Sequence, residues 1–85
     1  MVELYRTGKG VKYMIIHSTQ ELGQIIRTTR KNMGLTQSDL AGACACGVRF
    51  ISELENGKPS IELGRALRVA HVLGLDLSVD ERGAR

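Results

Sequence analysis

Apolar residues recur at helical spacing through most of this chain. Leu22, Ile25, Ile26 and Thr29 fall three and four apart, a single stripe that predicts a first helix running to about Met33 and stopped by Gly34. Ser18 followed by Glu21 is the pattern of a capping box at its start. Thr36 announces a second helix, because its hydroxyl can accept from amides of the next turn, and Asp39 complements the positive end of the dipole. Leu40 and Ala41 face inward. The run Cys44, Ala45, Cys46, Gly47 is small and includes a poor helix former, so this helix is expected to end near Ala43 and the chain to turn sharply.

A third short helix follows from Val48 to Asn56, with Gly47 as its cap. Ile51 and Leu54 mark its buried side, with Cys46 filling the pocket just ahead of it. Val48, Arg49, Ser52 and Glu53 must then point elsewhere, a polar display that packing alone would not select. Asn56 and Gly57 supply the left-handed residue that stops the helix, and Pro59 prevents its continuation. Ser60 is the candidate cap of a fourth helix, from Ile61 to about Leu73 with Gly74 beyond it. Its stripe of Leu63, Ala66, Leu67 and Ala70 faces the core, while Val69, Val72 and Leu73 spread apolar surface toward a partner.

Past Gly74 the period changes. Leu75, Leu77 and Val79 alternate with Asp76, Ser78 and Asp80, the pattern of a half-buried strand. A strand needs a neighbour, and the candidates are the same segment of a second copy or the stretch around Tyr13; an irregular tail laying two leucines on the core is the alternative. Residues 1–17 have no helical period and contain Gly8 and Gly10, so they read as a mobile arm with a strand candidate over Val11 to Ile16, and Met14 is an alternative start.

Composition narrows the picture only modestly. At 85 residues there is room for one domain with a small core, and such chains gain stability by dimerising. A net charge of +3 neither demands nor excludes a polyanion, so any argument for one rests on where the charges sit. The two cysteines, Cys44 and Cys46, lie too close for an ordinary bridge and read as thiols of a cytoplasmic protein. A metal site would have to recruit His17 or His71, and no second Cys pair exists to complete it. No metal or cofactor is therefore expected. Nor does any stretch approach the length of a membrane span or the form of a secretory signal.

The residues Leu35, Thr36, Gln37, Leu40, Ala41, Ile51, Ser52, Glu55, Asn56, Gly57 and Lys58 stand at the spacing of a known consensus: LTQ, then LA, a small residue and a turn, then IS, a spacer and ENGK. On them the chain resembles the Cro and phage-repressor (Xre) class of helix-turn-helix regulators, over about residues 19–74. It departs at Gly47, where the class usually has Ser or Thr, and at Cys46, where it has a branched aliphatic, which weakens the cap of the third helix. The resemblance implies an all-α fold: a compact lambda-repressor-like domain of four or five helices, with the short C-terminal strand pairing in a dimer. It also implies three parts: an arm over 1–17, a DNA-binding domain over 18–74, and a dimerisation strand and tail over 75–85.

In such a domain the second helix of the motif enters the major groove and the first crosses the backbone. Gln37 then stands where the class holds a phosphate. Arg49 is the candidate for direct readout, since a guanidinium there can grip guanine O6 and N7 with two bonds. Val48 and Phe50 are candidates to cover thymine methyl groups, though Phe50 reads equally well as a ring tucked against a neighbouring helix. Ser52 can reach a phosphate or a base, and Glu53 can accept from a cytosine amino group or repel non-cognate phosphate. Asn56 and Lys58, in the loop after the helix, can strengthen binding without choosing sequence.

The resemblance makes Arg30 and Glu55 a structural pair between the first and third helices. The expected dimer surface is Val69, Val72, Leu73, Leu75, Leu77 and Val79, with Arg68 and His71 beside it. Four helices followed at once by an alternating strand resemble HipB-type antitoxins, DNA-binding partners of HipA-like kinase toxins. A bacterial, nucleoid-associated homodimer on palindromic double-stranded operator DNA follows, repressing its own operon with a HipA-like kinase as a further partner. The alternatives are a stand-alone Xre or phage-type repressor and a protein-interaction module that has lost DNA binding. An enzyme finds no support, because no acid and base are paired in an apolar setting and both histidines are isolated.

Overall fold

The computed structural model describes residues 3–6 and 12–82. Two short strands, β1 (Glu3–Arg6) and β2 (Lys12–Ile15), are followed by four helices, α1 (Thr19–Asn32), α2 (Gln37–Cys44), α3 (Val48–Glu55) and α4 (Leu63–Val72). The strands pair antiparallel, with Tyr5 opposite Tyr13 and Arg6 opposite Lys12. The arm expected over 1–17 is therefore a hairpin in its described part. Its two runs of β-forming residues are separated by a glycine-containing connection, the spacing at which a chain can fold back on itself.

Helix α1 begins at Ser18, whose hydroxyl accepts from the Glu21 amide at 3.1 Å. The Glu21 carboxylate reaches back to the amide of His17, one residue ahead of the cap. Met33 and Gly34 close the helix, Gly34 in the left-handed region with φ +74°. Leu22 and Ile26 are buried in the stripe, together with Gly23 and Arg30.

Gly23 fixes how closely α1 can lie on α3. A β-carbon at this position would fall 2.5 Å from the Leu54 carbonyl oxygen and 2.6 Å from that of Glu55. The crossing exists only because the side chain is missing. A second approach of this kind joins the start of α1 to the loop after α3: Gly57 (φ +79°) abuts Gln20, and the Thr19 hydroxyl donates to the Gly57 carbonyl at 2.8 Å.

The core is one cluster centred on Ile26, Leu40, Ile51, Leu54 and Val69, each fully buried, with Ala66, Ala70 and Leu73 contributed by α4. Helix α4 differs from expectation in start and rotation. It begins at Leu63, and its cap is not Ser60 but Glu62, whose carboxylate accepts from the amides of Gly64 and Arg65, both at 2.9 Å. Hydrogen bonds to these amides hold the Glu62 carboxyl below the usual carboxylate range. The buried stripe is Ala66, Val69, Ala70 and Leu73, continuous at i, i+3, i+4 and i+7. Val69 and Leu73, expected at a dimer surface, are therefore core residues, and Leu63 and Leu67, expected in the core, are exposed.

Residues 75–80 form no strand in the single chain. Leu75 lies against the core, its amide donating to the Ala70 carbonyl at 2.9 Å, while Leu77 and Val79 face solvent, Val79 completely. Among the described residues, no helix is long and apolar enough to cross a membrane.

Candidate nucleic-acid interface

The two short helices α2 and α3 are set by their ends. Thr36 and Asp39 form a reciprocal capping box at the start of α2, the Asp39 amide donating to Thr36 Oγ1 at 3.0 Å and the Thr36 amide to Asp39 Oδ2 at 2.9 Å. Those bonds, the one from the Thr36 backbone foremost, hold the Asp39 carboxyl below its ordinary range. At the other end the chain reverses at Ala45, with φ 54° and ψ 44°. The Cys46 amide donates back to the Ala41 carbonyl at 3.0 Å, closing the turn. Ala45 is a non-glycine residue held in the left-handed region, which a β-carbon makes costly. The thiol of Cys44 is buried and that of Cys46 half-buried, and burial, with Cys46 nearby, pushes the Cys44 thiol up.

Helix α3 starts at Gly47 without a side-chain cap. Phe50, Ile51, Leu54 and Glu55 form its buried side. Its outer side carries Val48, Arg49, Ser52 and Glu53, continued by Asn56 and Lys58 in the following loop. Arg49 is the most open of them, its side chain 91% exposed. Phe50 departs from the expected interface: the residue is 7% exposed, and the Arg65 guanidinium lies 4.5 Å from its ring centroid. Phe50 thus takes the inward of its two expected placements, beside Ile51 on the buried side of α3.

A charge network spans the outer side. Glu53 Oε2 accepts from Lys58 Nζ at 3.1 Å and faces Arg49 Nε at 3.7 Å. The Lys58 amide also donates to the Glu53 carbonyl at 3.1 Å, which fixes the loop on the end of the helix. The hydrogen bond from Lys58, with the charges of Lys58 and Arg49, outweighs the opposing effect of desolvation and holds the Glu53 carboxyl below its usual range.

Behind α3 lies the pair of Arg30 and Glu55. Arg30 Nε donates to Glu55 Oε2 at 2.7 Å and Nη2 to Oε1 at 3.0 Å, while Nη1 donates to the Leu35 carbonyl at 2.8 Å. The two side chains are 8% and 2% exposed. Gln37 joins them, its amide donating to Glu55 Oε1 at 3.1 Å. One carboxylate thus serves α1, α2 and α3 together. Burial pushes the Glu55 carboxyl up, but the hydrogen bonds from Arg30 and Gln37 and the Arg30 charge outweigh it, and it titrates below its usual range. Among the described residues, every buried side-chain nitrogen and oxygen has a partner.

Sequence reasoning did not find Gly23, the Glu62 cap, the Arg65 contact with Phe50 or the Gln37 bond to Glu55. Only Gly23 left a signal: an isolated glycine on the buried stripe of an otherwise good helix implies a close backbone approach. The Glu62 cap is local but is made by a residue type outside the usual cap set, and the other two depend on which elements meet.

Two short helices crossing through a tight turn, the second turning an open polar side outward, define the helix-turn-helix class of DNA-binding protein. The helix-turn-helix family model matches residues 26–79. The chain is 37% identical over 70 residues to y4mF, an uncharacterised HTH-type transcriptional regulator of Sinorhizobium fredii, a match covering 82% of this chain and 92% of that protein. It is 32% identical over 60 residues to the ImmF control region 10 kDa protein of Bacillus phage phi105, covering 71% and 67%. In fold it matches a chain of the HipA-HipB-O2-O3 complex with a TM-score of 0.75 at 24% identity, covering 82% of this chain and 99% of that one. The protein belongs to the Xre-type helix-turn-helix family of DNA-binding transcriptional regulators.

Proposed function

We propose that the protein is a sequence-specific, homodimeric repressor of its own operon that reads a palindromic operator with α3 and serves as the HipB-like antitoxin of a HipA-like kinase. The observation that carries the DNA part is the outer side of α3, a row of Val48, Arg49, Ser52 and Glu53 continued by Asn56 and Lys58, on a helix whose other side is locked into the core. Arg49 makes the bidentate base contact, Val48 meets thymine methyl groups and Ser52 reaches a base or phosphate. Lys58, Asn56 and Gln37 hold the backbone, Gln37 with its amide already oriented by Glu55. Two copies place their α3 helices about one helical turn of DNA apart. Of the dimer residues expected from the sequence, Val72, Leu77 and Val79 remain exposed to meet a second copy. The antitoxin role is supported by the shared fold with a chain of a complex that contains HipA.

A mobility-shift titration on DNA from upstream of the protein's own coding sequence tests this reading. Arg49→Ala should weaken the specific band by about 1 to 3 kcal/mol while leaving the fold intact. No salt-dependent, sequence-selective binding by the wild type would refute the DNA reading, and a monomer in sedimentation at micromolar concentration the dimer. A second reading, a stand-alone regulator, is favoured by the two curated relatives, which are described as a regulator and a control-region protein. Co-purification without a kinase-like protein would select it.

A further inference from the structure

We infer that Glu53 is a built-in counter-ion of the DNA-reading side, lowering affinity for non-cognate duplex by occupying both of its cations until an operator displaces it. This rests on the reading of α3 as the groove-entering helix and says how that surface discriminates. Arg49 and Lys58 are the two cationic residues on this side, one on the helix and one in the loop behind it. A single oxygen, Glu53 Oε2, lies 3.1 Å from Lys58 Nζ and 3.7 Å from Arg49 Nε.

The charge distribution makes this arrangement consequential. Residues 18–82 contain eight Lys and Arg against eight Asp and Glu, so the helical domain has no excess positive charge to draw it to DNA as such. Non-specific affinity is set by how many phosphates the protein neutralises. With Glu53 between them, Arg49 and Lys58 present one net positive charge instead of two. A random duplex offers phosphates that must compete with a carboxylate already in place. A cognate site adds base-edge bonds to Arg49 that a carboxylate does not supply, so the exchange is favourable there. Glu53 is only partly exposed, its side chain 31% open against 91% for Arg49, and its main-chain carbonyl bond to the Lys58 amide keeps the pairing geometry in place.

The test is Glu53→Gln in the full-length chain, measured by fluorescence anisotropy against the upstream DNA and a random duplex of the same length, from 50 to 300 mM salt, roughly the range in which such contacts are resolved. Removing one negative charge should steepen the slope of log K against log salt on random DNA by about 0.9, or about eightfold tighter binding near 0.1 M salt. The gain on upstream DNA should be smaller, so the ratio between the two falls. Glu53→Asp, which keeps the charge, should behave as the wild type. Unchanged random-DNA affinity and slope in Glu53→Gln would overturn the inference, as would a loss confined to the upstream DNA, the signature of a base contact made by Glu53. If the wild type binds neither duplex, it is the DNA-binding reading that fails.

Discussion

Replacing Gly23 with alanine should destabilise the domain by about 2 kcal/mol, although alanine is the better helix former. The new β-carbon would lie 2.5 Å from the Leu54 carbonyl oxygen and 2.6 Å from that of Glu55. Carbon and carbonyl oxygen ordinarily approach to about 3.3 Å, so α1 and α3 must separate by roughly 0.7 Å along this contact. Overpacking of one methyl group costs about 1 to 3 kcal/mol, and the upper end applies because the obstruction is helix backbone that no rotamer change can move. Alanine returns about 1 kcal/mol of helix propensity. Urea denaturation followed by far-ultraviolet circular dichroism reads the difference, and the melting temperature should fall by about 10 °C. Gly42→Ala is the matched control, since Gly42 lies in α2 with nothing within 4 Å of where its β-carbon would be; it should gain up to about 1 kcal/mol. A Gly23→Ala protein as stable as the wild type, or a Gly42→Ala protein weakened as much, would refute the reasoning.

Removing one partner of the buried pair, Arg30→Met, should cost about 3 to 5 kcal/mol in the same denaturation assay, because the Glu55 carboxylate is left without its guanidinium. The Glu55 carboxyl titrates lower in the folded than in the unfolded chain, so its contribution is complete above the unfolded value of about 4.3 and disappears as pH falls below that through the folded value. Stability measured from pH 6 down to pH 3 should therefore drop less steeply in Glu55→Gln than in the wild type, from a lower starting point. Ala45→Gly should raise stability by about 0.5 to 1 kcal/mol, relief of a left-handed alanine being partly offset by the greater freedom of glycine in the unfolded chain. A fall in the urea midpoint would show that the turn is not strained.

What the sequence revealed followed from local chemistry. Ser18 and Thr36 begin their helices because their hydroxyls satisfy amides a few residues away, and Gly34 and Gly57 end theirs because the chain there needs positive φ. The outer side of α3 was legible for the same reason, since burial of Ile51 and Leu54 turns Val48, Arg49, Ser52 and Glu53 away from the core. The rotation of α4 was not. Leu63 and Leu67 are as apolar as Val69 and Leu73, and only the Glu62 cap and the shape of the surface left by α2 and α3 select which pair is covered. Phe50 is the half-legible case in the candidate interface: the sequence left its ring either outward or against a neighbouring helix, and the structure buries it with Arg65 of α4 over the ring. Of the hairpin, the strand over Lys12–Ile15 was legible within Val11 to Ile16, but its partner Glu3–Arg6 was not, being four residues long with little period of its own.

The single carboxylate shared by α1, α2 and α3 bears on how the free protein meets its target. With Arg30, Gln37 and Glu55 joined in the unbound chain, the start of α2 and the end of α3 are already oriented before any duplex arrives. The entropy of holding the motif rigid is then part of the folding free energy, not of association, and contacts made in the groove need not supply it.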